Sequence, residues 1–289
     1  MKNFKGNFTA LLTPFDENNK INPIALEKLI NYNINMGVTG FYVGGSTGEA
    51  FMLSTEERKY LLELVKSMAG DKTVIAHIGS IHEDAAIELA KHATKLGCDA
   101  ISSVAPFYYK FTFNEIKDYY FRIAQSAGLP MIVYNFPAFS GVNMGMNEIS
   151  QFLDDQKFLG IKHTSTDFFA LEQCKTKYPD KLVYNGFDEM FLSGLIMGAD
   201  GGIGSTYNFM ADKFVKIKEL FEKGNIKQAQ ELQQTANKII AVLCSIGVMQ
   251  AEKEVLNQLG MDFGICRHPF NEPDTEAKKR IEKEIMPLL

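Results

Sequence analysis

Lys162 closes a short apolar run, Leu159–Lys162, and a lysine in that position has two places to go. It points into the mouth of a barrel of strands, or it turns out toward helices with its ammonium reaching solvent. Turned inward, it loses hydration, its pKa falls, and it becomes a neutral amine able to attack a carbonyl carbon. Tyr134 closes the apolar run before it, Met131–Tyr134. A phenol beside such an amine can pass protons to and from a carbinolamine. A tyrosine there can equally be an aromatic filler with a satisfied hydroxyl. The segment Gly44-Gly45-Ser46-Thr47-Gly48-Glu49 offers closely spaced amides and two hydroxyls with little side-chain bulk. Such a nest suits a carboxylate, although a structural turn has the same composition. Asp188 and Glu189 stand side by side after a further apolar run, Leu182–Tyr184. Adjacent carboxylates serve acid–base work, a metal, or the hydroxyls of a sugar.

Other chemistries find less support. His77, His82, His92 and His268 are scattered with no recognisable metal spacing, and they read as structural or surface residues. His163 follows Lys162 and by strand alternation faces the other way. The Gly44–Glu49 segment matches neither GxGxxG nor the Gly-Lys-Ser/Thr ending of a nucleotide-phosphate loop. A serine or cysteine nucleophile triad is not expected. The expectation is an enzyme with no metal and no cofactor.

These residues need elements to position them. Eight short runs rich in Val and Ile alternate with longer amphipathic stretches: Phe8–Leu12, Gly40–Val43, Thr73–Ile78, Ala100–Val104, Met131–Tyr134, Leu159–Lys162, Leu182–Tyr184 and Gly201–Ser205. The intervening periodicity predicts helices near 23–36, 54–69, 82–96, 114–126, 146–154, 167–177, 188–197 and 209–222. Ser54-Thr55-Glu56-Glu57 reads as a capping box, and Gly37, Gly97 and Gly128 fall where a left-handed helix end suits glycine. In Ala85–Lys95, Ile87, Ala90, Ala93 and Thr94 recur at helical spacing. Strands apolar on nearly every residue are parallel strands covered on both sides. Eight strand–helix units in series predict a (β/α)8 TIM barrel over 1–224, with a doubly wound open sheet as the alternative that periodicity leaves standing. Residues 225–289 read as an extension of about three helices, near 225–243, 248–259 and 273–286, packed on the barrel within the same domain.

A chain of 289 residues with 46% hydrophobic composition can bury a core of that size. The net charge of −5 is mild, with no basic stripe, so neither nucleic acid nor an anionic membrane is an expected partner. No apolar run approaches the roughly 20 residues of a membrane span, and the first residues lack a signal-peptide pattern. Cys98, Cys174, Cys244 and Cys266 form no CxxC pair, which suits free thiols in the reducing cytoplasm.

With these residues placed, the chain resembles the dihydrodipicolinate synthase/N-acetylneuraminate lyase family of class I aldolases. The resemblance runs over essentially the whole length. It rests on Leu11-Leu12-Thr13-Pro14-Phe15, Gly44–Glu49, Pro106-Phe107-Tyr108-Tyr109, Tyr134-Asn135 with Pro137, and Lys162. Ser46-Thr47 stands where the synthases carry two threonines. Phe139, two residues beyond Pro137, stands where they place an arginine for the carboxylate of their aldehyde. A phenylalanine cannot make that charged fork, which favours the neuraminate lyase branch. The segments from Tyr184 to Glu189 and from Gly202 to Asn208 resemble that branch as well.

The resemblance implies reversible cleavage of N-acetylneuraminate to N-acetylmannosamine and pyruvate. Lys162 would be the Schiff-base lysine and Tyr134 the proton donor and acceptor. Ser46 and Thr47 would hold the pyruvate carboxylate, while Thr164, Gly186, Asp188, Glu189 and Ser205 would line the sugar-chain subsite. Tyr109 resembles a tyrosine that reaches into a neighbouring subunit, which presupposes a homotetramer. Phe136 and Phe139 replace smaller aliphatic residues and Met249 replaces an aromatic, so the sugar pocket is reshaped. Alternatives are another aldolase, synthase or dehydratase of the family, a non-catalytic sugar-acid sensor, and a structural oligomerisation protein. The sensor would be expected to lack Lys162 or Tyr134, and the last leaves the polar strand ends unexplained.

Overall fold

The eight strands are β1 Gly6–Ala10, β2 Gly40–Val43, β3 Thr73–His77, β4 Ala100–Val104, β5 Met131–Asn135, β6 Phe158–His163, β7 Leu182–Asn185 and β8 Gly201–Gly204. They come from a computed structural model that describes residues 2–289. All are parallel and ordered as in the chain, and β8 pairs back onto β1 from Gly6↔Gly201 to Thr9↔Gly204. That last pairing makes a closed TIM barrel, the point periodicity could not decide.

Both faces of each strand are covered, so only Leu159 among the strand residues is not fully buried. Alternate residues part to two cores. Phe8, Tyr42, Ile75, Ile132, Tyr134 and Tyr184 fill the inside of the barrel. Phe41, Val74, Ile101, Val133, Ile161 and Val183 pack outward on the helices. Lys162 is in register with Tyr134 on one side and Tyr184 on the other, so it shares their inward parity.

Helices α1 Pro23–Asn35, α2 Thr55–Met68, α3 Glu83–Lys95 and α4 Phe113–Ala127 follow the first four strands. The Ser54–Glu57 capping box forms, and Gly37, Gly97 and Gly128 take φ of 85°, 69° and 68° just past their helices. The buried stripe of α3 is Ala86, Leu89, Ala90 and Ala93, which moves Ile87 to its edge. A short α5 Pro137–Ser140, not expected from the sequence, turns the chain after β5 before α6 Met146–Leu153. A prolyl N1 starts it and Gly141, at φ 68°, ends it. Then come α7 Phe168–Lys177, a 3₁₀ turn Asp188–Met190 leading into α8 Phe191–Ile196, and α9 Tyr207–Glu222.

Strand β1 begins two residues earlier than expected and ends two earlier. The Gly6 amide already donates to Asp200 O, whereas the Leu12 amide is taken by the Asn208 side chain instead of a neighbouring strand. Beyond the barrel lie α10 Ile226–Ile246, α11 Val248–Gln258 and α12 Thr275–Arg280, the last running on into a π-helical turn, Ile281–Ile285. No helix of the described residues is long and apolar enough to cross a membrane. The four cysteines are free, three of them buried and Cys244 exposed.

Candidate active site

A cavity of about 850 Å³ opens where the strands end, and Lys162 and Tyr134 lie at its floor. The Lys162 Nζ stands 4.2 Å from the centre of the Tyr134 ring and 4.8 Å from that of Tyr42. Burial inside the barrel lowers the lysine pKa to about 7, against the opposing pull of the nearby Asp188 carboxylate. Around neutral pH a large share of the side chain is therefore the free amine. Burial pushes the Tyr134 phenol up to about 12, while the Ser46 and Thr164 hydroxyls pull it down. Tyr134 rests protonated.

On one side of the amine is the loop after β2. Gly44 takes φ 70° and Glu49 φ 57°, so the chain curls and presents Ser46 and Thr47 to the cavity. Among the described residues, neither the Ser46 nor the Thr47 amide finds an internal acceptor. Two amides without an internal acceptor and two hydroxyls, on a loop that lines the cavity, suit a carboxylate. The loop is held from below by Glu49, which pairs with Lys253 of α11 at 2.6 Å in a fully buried contact and accepts the Arg267 amide at 2.8 Å.

On the other side are the ends of β6, β7 and β8, with Thr164, Gly186, Asp188, Glu189 and Ser205 all on the cavity wall. Asp188 accepts from both the amide and the hydroxyl of Thr206, at 2.9 and 2.7 Å, and its second oxygen has no partner. Burial raises its carboxyl to about 6. Two glycines make this wall possible. A methyl group on Gly186 would strike Thr164 Oγ1, and one on Gly204 would strike Asp188 Oδ1. The bare Asp188 oxygen, buried, is an acceptor left for a polar ligand, and the buried Thr164 hydroxyl lies beside the Tyr134 phenol.

The C-terminal helices complete the cavity. Leu243, Cys244, Val248, Met249 and Gln250 line its rim, and Gln233 and Asn237 of α10 donate to the carbonyls of Asp188 and Glu189 at 3.0 Å each. Phe136 stacks on Tyr134 with centres 5.7 Å apart and meets Phe139 edge-on at 4.4 Å. These two phenylalanines thus form one aromatic wall of the cavity. Tyr109 is not on that wall; it lies in the loop after β4, 63% exposed, against Tyr108.

The histidines play other parts. His163 reaches Asp167 O at 2.9 Å, away from the amine. His77 is buried with Nδ1 2.8 Å from Gly44 O and Nε2 3.3 Å from the Val104 amide. This matters because Gly44-Gly45-Ser46-Thr47-Gly48 does spell the G-x-S-x-G of a nucleophile elbow. With both ring nitrogens of His77 engaged, and its pKa pressed down to about 3 by burial, that histidine does not serve Ser46 as the base of a triad. Among the described residues, no three His, Cys, Asp or Glu side chains converge as metal ligands would.

The dihydrodipicolinate synthetase family matches residues 3–287. The chain belongs to that family. It is 43% identical over 287 residues to the N-acetylneuraminate lyase of Fusobacterium nucleatum, covering 98% of this chain and 99% of that protein. The N-acetylneuraminate lyase of Pasteurella multocida is 44% identical, with 99% and 98% covered. Among solved structures, CdNal from Clostridium difficile in complex with mannosamine superposes with a TM-score of 0.97 at 40% identity, covering 99% of this chain and all of that one. Family membership makes the chain a carbon–carbon lyase of the aldolase type and fits the barrel to its strand-end cavity.

Sequence reasoning missed the residues that hold the site from behind. Tyr42, Glu49, Thr206, Gln233 and Asn237 touch it across the fold, and Lys253 and Glu252 reach it from α11. For Glu252 a signal existed. It falls beside Ala251 and one turn before Val255 on the apolar stripe of its helix, where a carboxyl is costly without a purpose.

Proposed function

We propose that the chain is an N-acetylneuraminate lyase, cleaving N-acetylneuraminate reversibly to N-acetylmannosamine and pyruvate through a Schiff base on Lys162. The observation that carries the reading is the desolvated Lys162 amine beside the Tyr134 phenol, in a chain 43% identical to a lyase of that specificity.

The open-chain sugar acid presents its C2 ketone to Lys162. Its carboxylate lies in the Ser46–Thr47 cradle, and its hydroxyl-bearing tail runs along Thr164, Gly186, Asp188, Glu189 and Ser205. Attack by the amine gives a carbinolamine, and Tyr134 donates its proton to the departing hydroxyl, so that water leaves and an iminium remains. The phenolate, a strong base because its conjugate acid has a pKa of about 12, then takes the C4 hydroxyl proton. The C3–C4 electron pair flows to the iminium nitrogen, the aldehyde N-acetylmannosamine leaves, and an enamine stays on Lys162. Protonation at C3 and addition of water release pyruvate and regenerate the amine. The iminium is the electron sink, so these steps call on no cofactor or metal.

The enzyme is proposed to work as a homotetramer in the reducing cytoplasm. Support comes from the exposed Tyr108–Tyr109 pair, an aromatic surface of the kind subunits bury, and from the four free thiols.

Incubation of the pure protein with N-acetylneuraminate tests the specificity. Pyruvate and N-acetylmannosamine are expected in equal amounts. Pyruvate release from other sugar acids but none from N-acetylneuraminate would leave the aldolase chemistry standing and overturn the substrate.

A further inference from the structure

The Glu252 carboxyl is completely buried on α11, and the chemistry above does not use it. One oxygen lies 2.7 Å from Ser205 Oγ; the other has no hydrogen-bond partner. Its neighbour in sequence behaves differently. Lys253 is buried to the same degree but is neutralised by Glu49. No cation acts on Glu252. The groups that face it are Ser205 after β8, Asp188 after β7, Cys244 of α10 and Cys266 beyond α11, and the charge of Asp188 repels it.

A buried carboxylate with one bare oxygen and no counter-charge is costly, whereas the un-ionised acid is tolerated. Burial accordingly raises the Glu252 carboxyl to about 8. The single contact to Ser205 then has two forms. With Glu252 ionised, the Ser205 hydroxyl must donate to it and can only accept from whatever lies in the cavity. With Glu252 un-ionised, the acid proton can bridge to Ser205 Oγ, and the Ser205 proton is free to point into the cavity.

We propose that Glu252 is a positioning residue that works as an un-ionised acid, holding the Ser205 oxygen with its own proton so that Ser205 donates to the substrate's hydroxyl-bearing tail. The inference rests on the reading of Ser205 as part of the sugar-chain wall. It makes tail recognition, and not adduct formation, weaken as pH rises through about 8.

The test compares the unmodified protein with Glu252→Gln and Glu252→Leu. It measures KM and kcat for N-acetylneuraminate between pH 6 and 9.5, with borohydride trapping of pyruvate as the control for the amine. Glutamine keeps a donor to Ser205 at every pH, and leucine removes it. In the unmodified protein KM should rise by roughly 3- to 10-fold across pH 8, the worth of one hydrogen bond, with kcat moving less. Glu252→Gln should keep the low KM and lose the rise, Glu252→Leu should hold KM high throughout, and all three should trap pyruvate alike. A rise in KM that persists in Glu252→Gln overturns the proposal. So does a KM that stays flat across pH 8 in the unmodified protein, a result that decides the matter even if neither variant folds. Failure of the unmodified protein to trap pyruvate would instead overturn the Schiff-base reading and is distinguishable from both.

Discussion

A phenol whose pKa is about 12 neither gives up nor takes a proton readily on its own, so Tyr134 can serve only as a carrier whose two transfers are linked. In the proposed cycle it protonates the leaving hydroxyl while the iminium forms, and that new positive charge would stabilise the phenolate until it collects the C4 proton. Tyr134→Phe should leave a pyruvate adduct detectable on Lys162 while lowering kcat by roughly 10²- to 10⁴-fold, the range of a lost general acid–base. Steady-state turnover checks this, and a near-normal kcat would contradict the shuttle. Both residues stood out by their strand-end position, but the sequence left open which way Lys162 turns, and the register that sets it beside Tyr134 belongs to the fold. Ser46, Thr47, Thr164, Gly186, Asp188, Glu189 and Ser205 were named from the resemblance and lie on one cavity wall or another. Glu49, Glu252 and Lys253 were not read as site residues, since their partners lie across the fold and no local spacing announces such a contact.

Elements followed their periodicity closely where burial alone sets the limits, as in β2 and β4, whose expected bounds are those observed. They departed from it where a hydrogen bond from elsewhere intervened. Strand β1 slid toward Gly6 because Asn208 captures the Leu12 amide, and α5 is too short for a helical period to register. Helix α11 does most to hold the site from outside the barrel. Its Lys253 anchors the loop carrying Ser46 and Thr47, and its Glu252 meets Ser205 after β8, so two successive residues brace two walls of the cavity. The sequence showed a helix there, but only the fold shows what it supports.

Closure of the barrel is a property of the whole molecule, and a pattern of alternating strands and helices is the same for an open sheet. It matters because closure buries Lys162 on all sides but the mouth. The division of the chain at residue 225 matters less than it looked, for the C-terminal helices supply part of the cavity rim. Assembly belongs to this scale too. The pure protein should sediment as four chains, and Tyr109→Ala should lower the assembly or the turnover without removing the adduct; a monomer of full activity would contradict the tetramer. The claim on which the rest stands is that Lys162 meets a keto acid as a free amine. Incubation with pyruvate and borohydride across pH 5.5 to 8.5, followed by peptide mass analysis, measures it directly. The account predicts irreversible addition at Lys162 alone, faster as pH rises through about 7 because deprotonation frees the nucleophile, and none in Lys162→Ala. Labelling at another lysine, or no labelling at any pH, would contradict it.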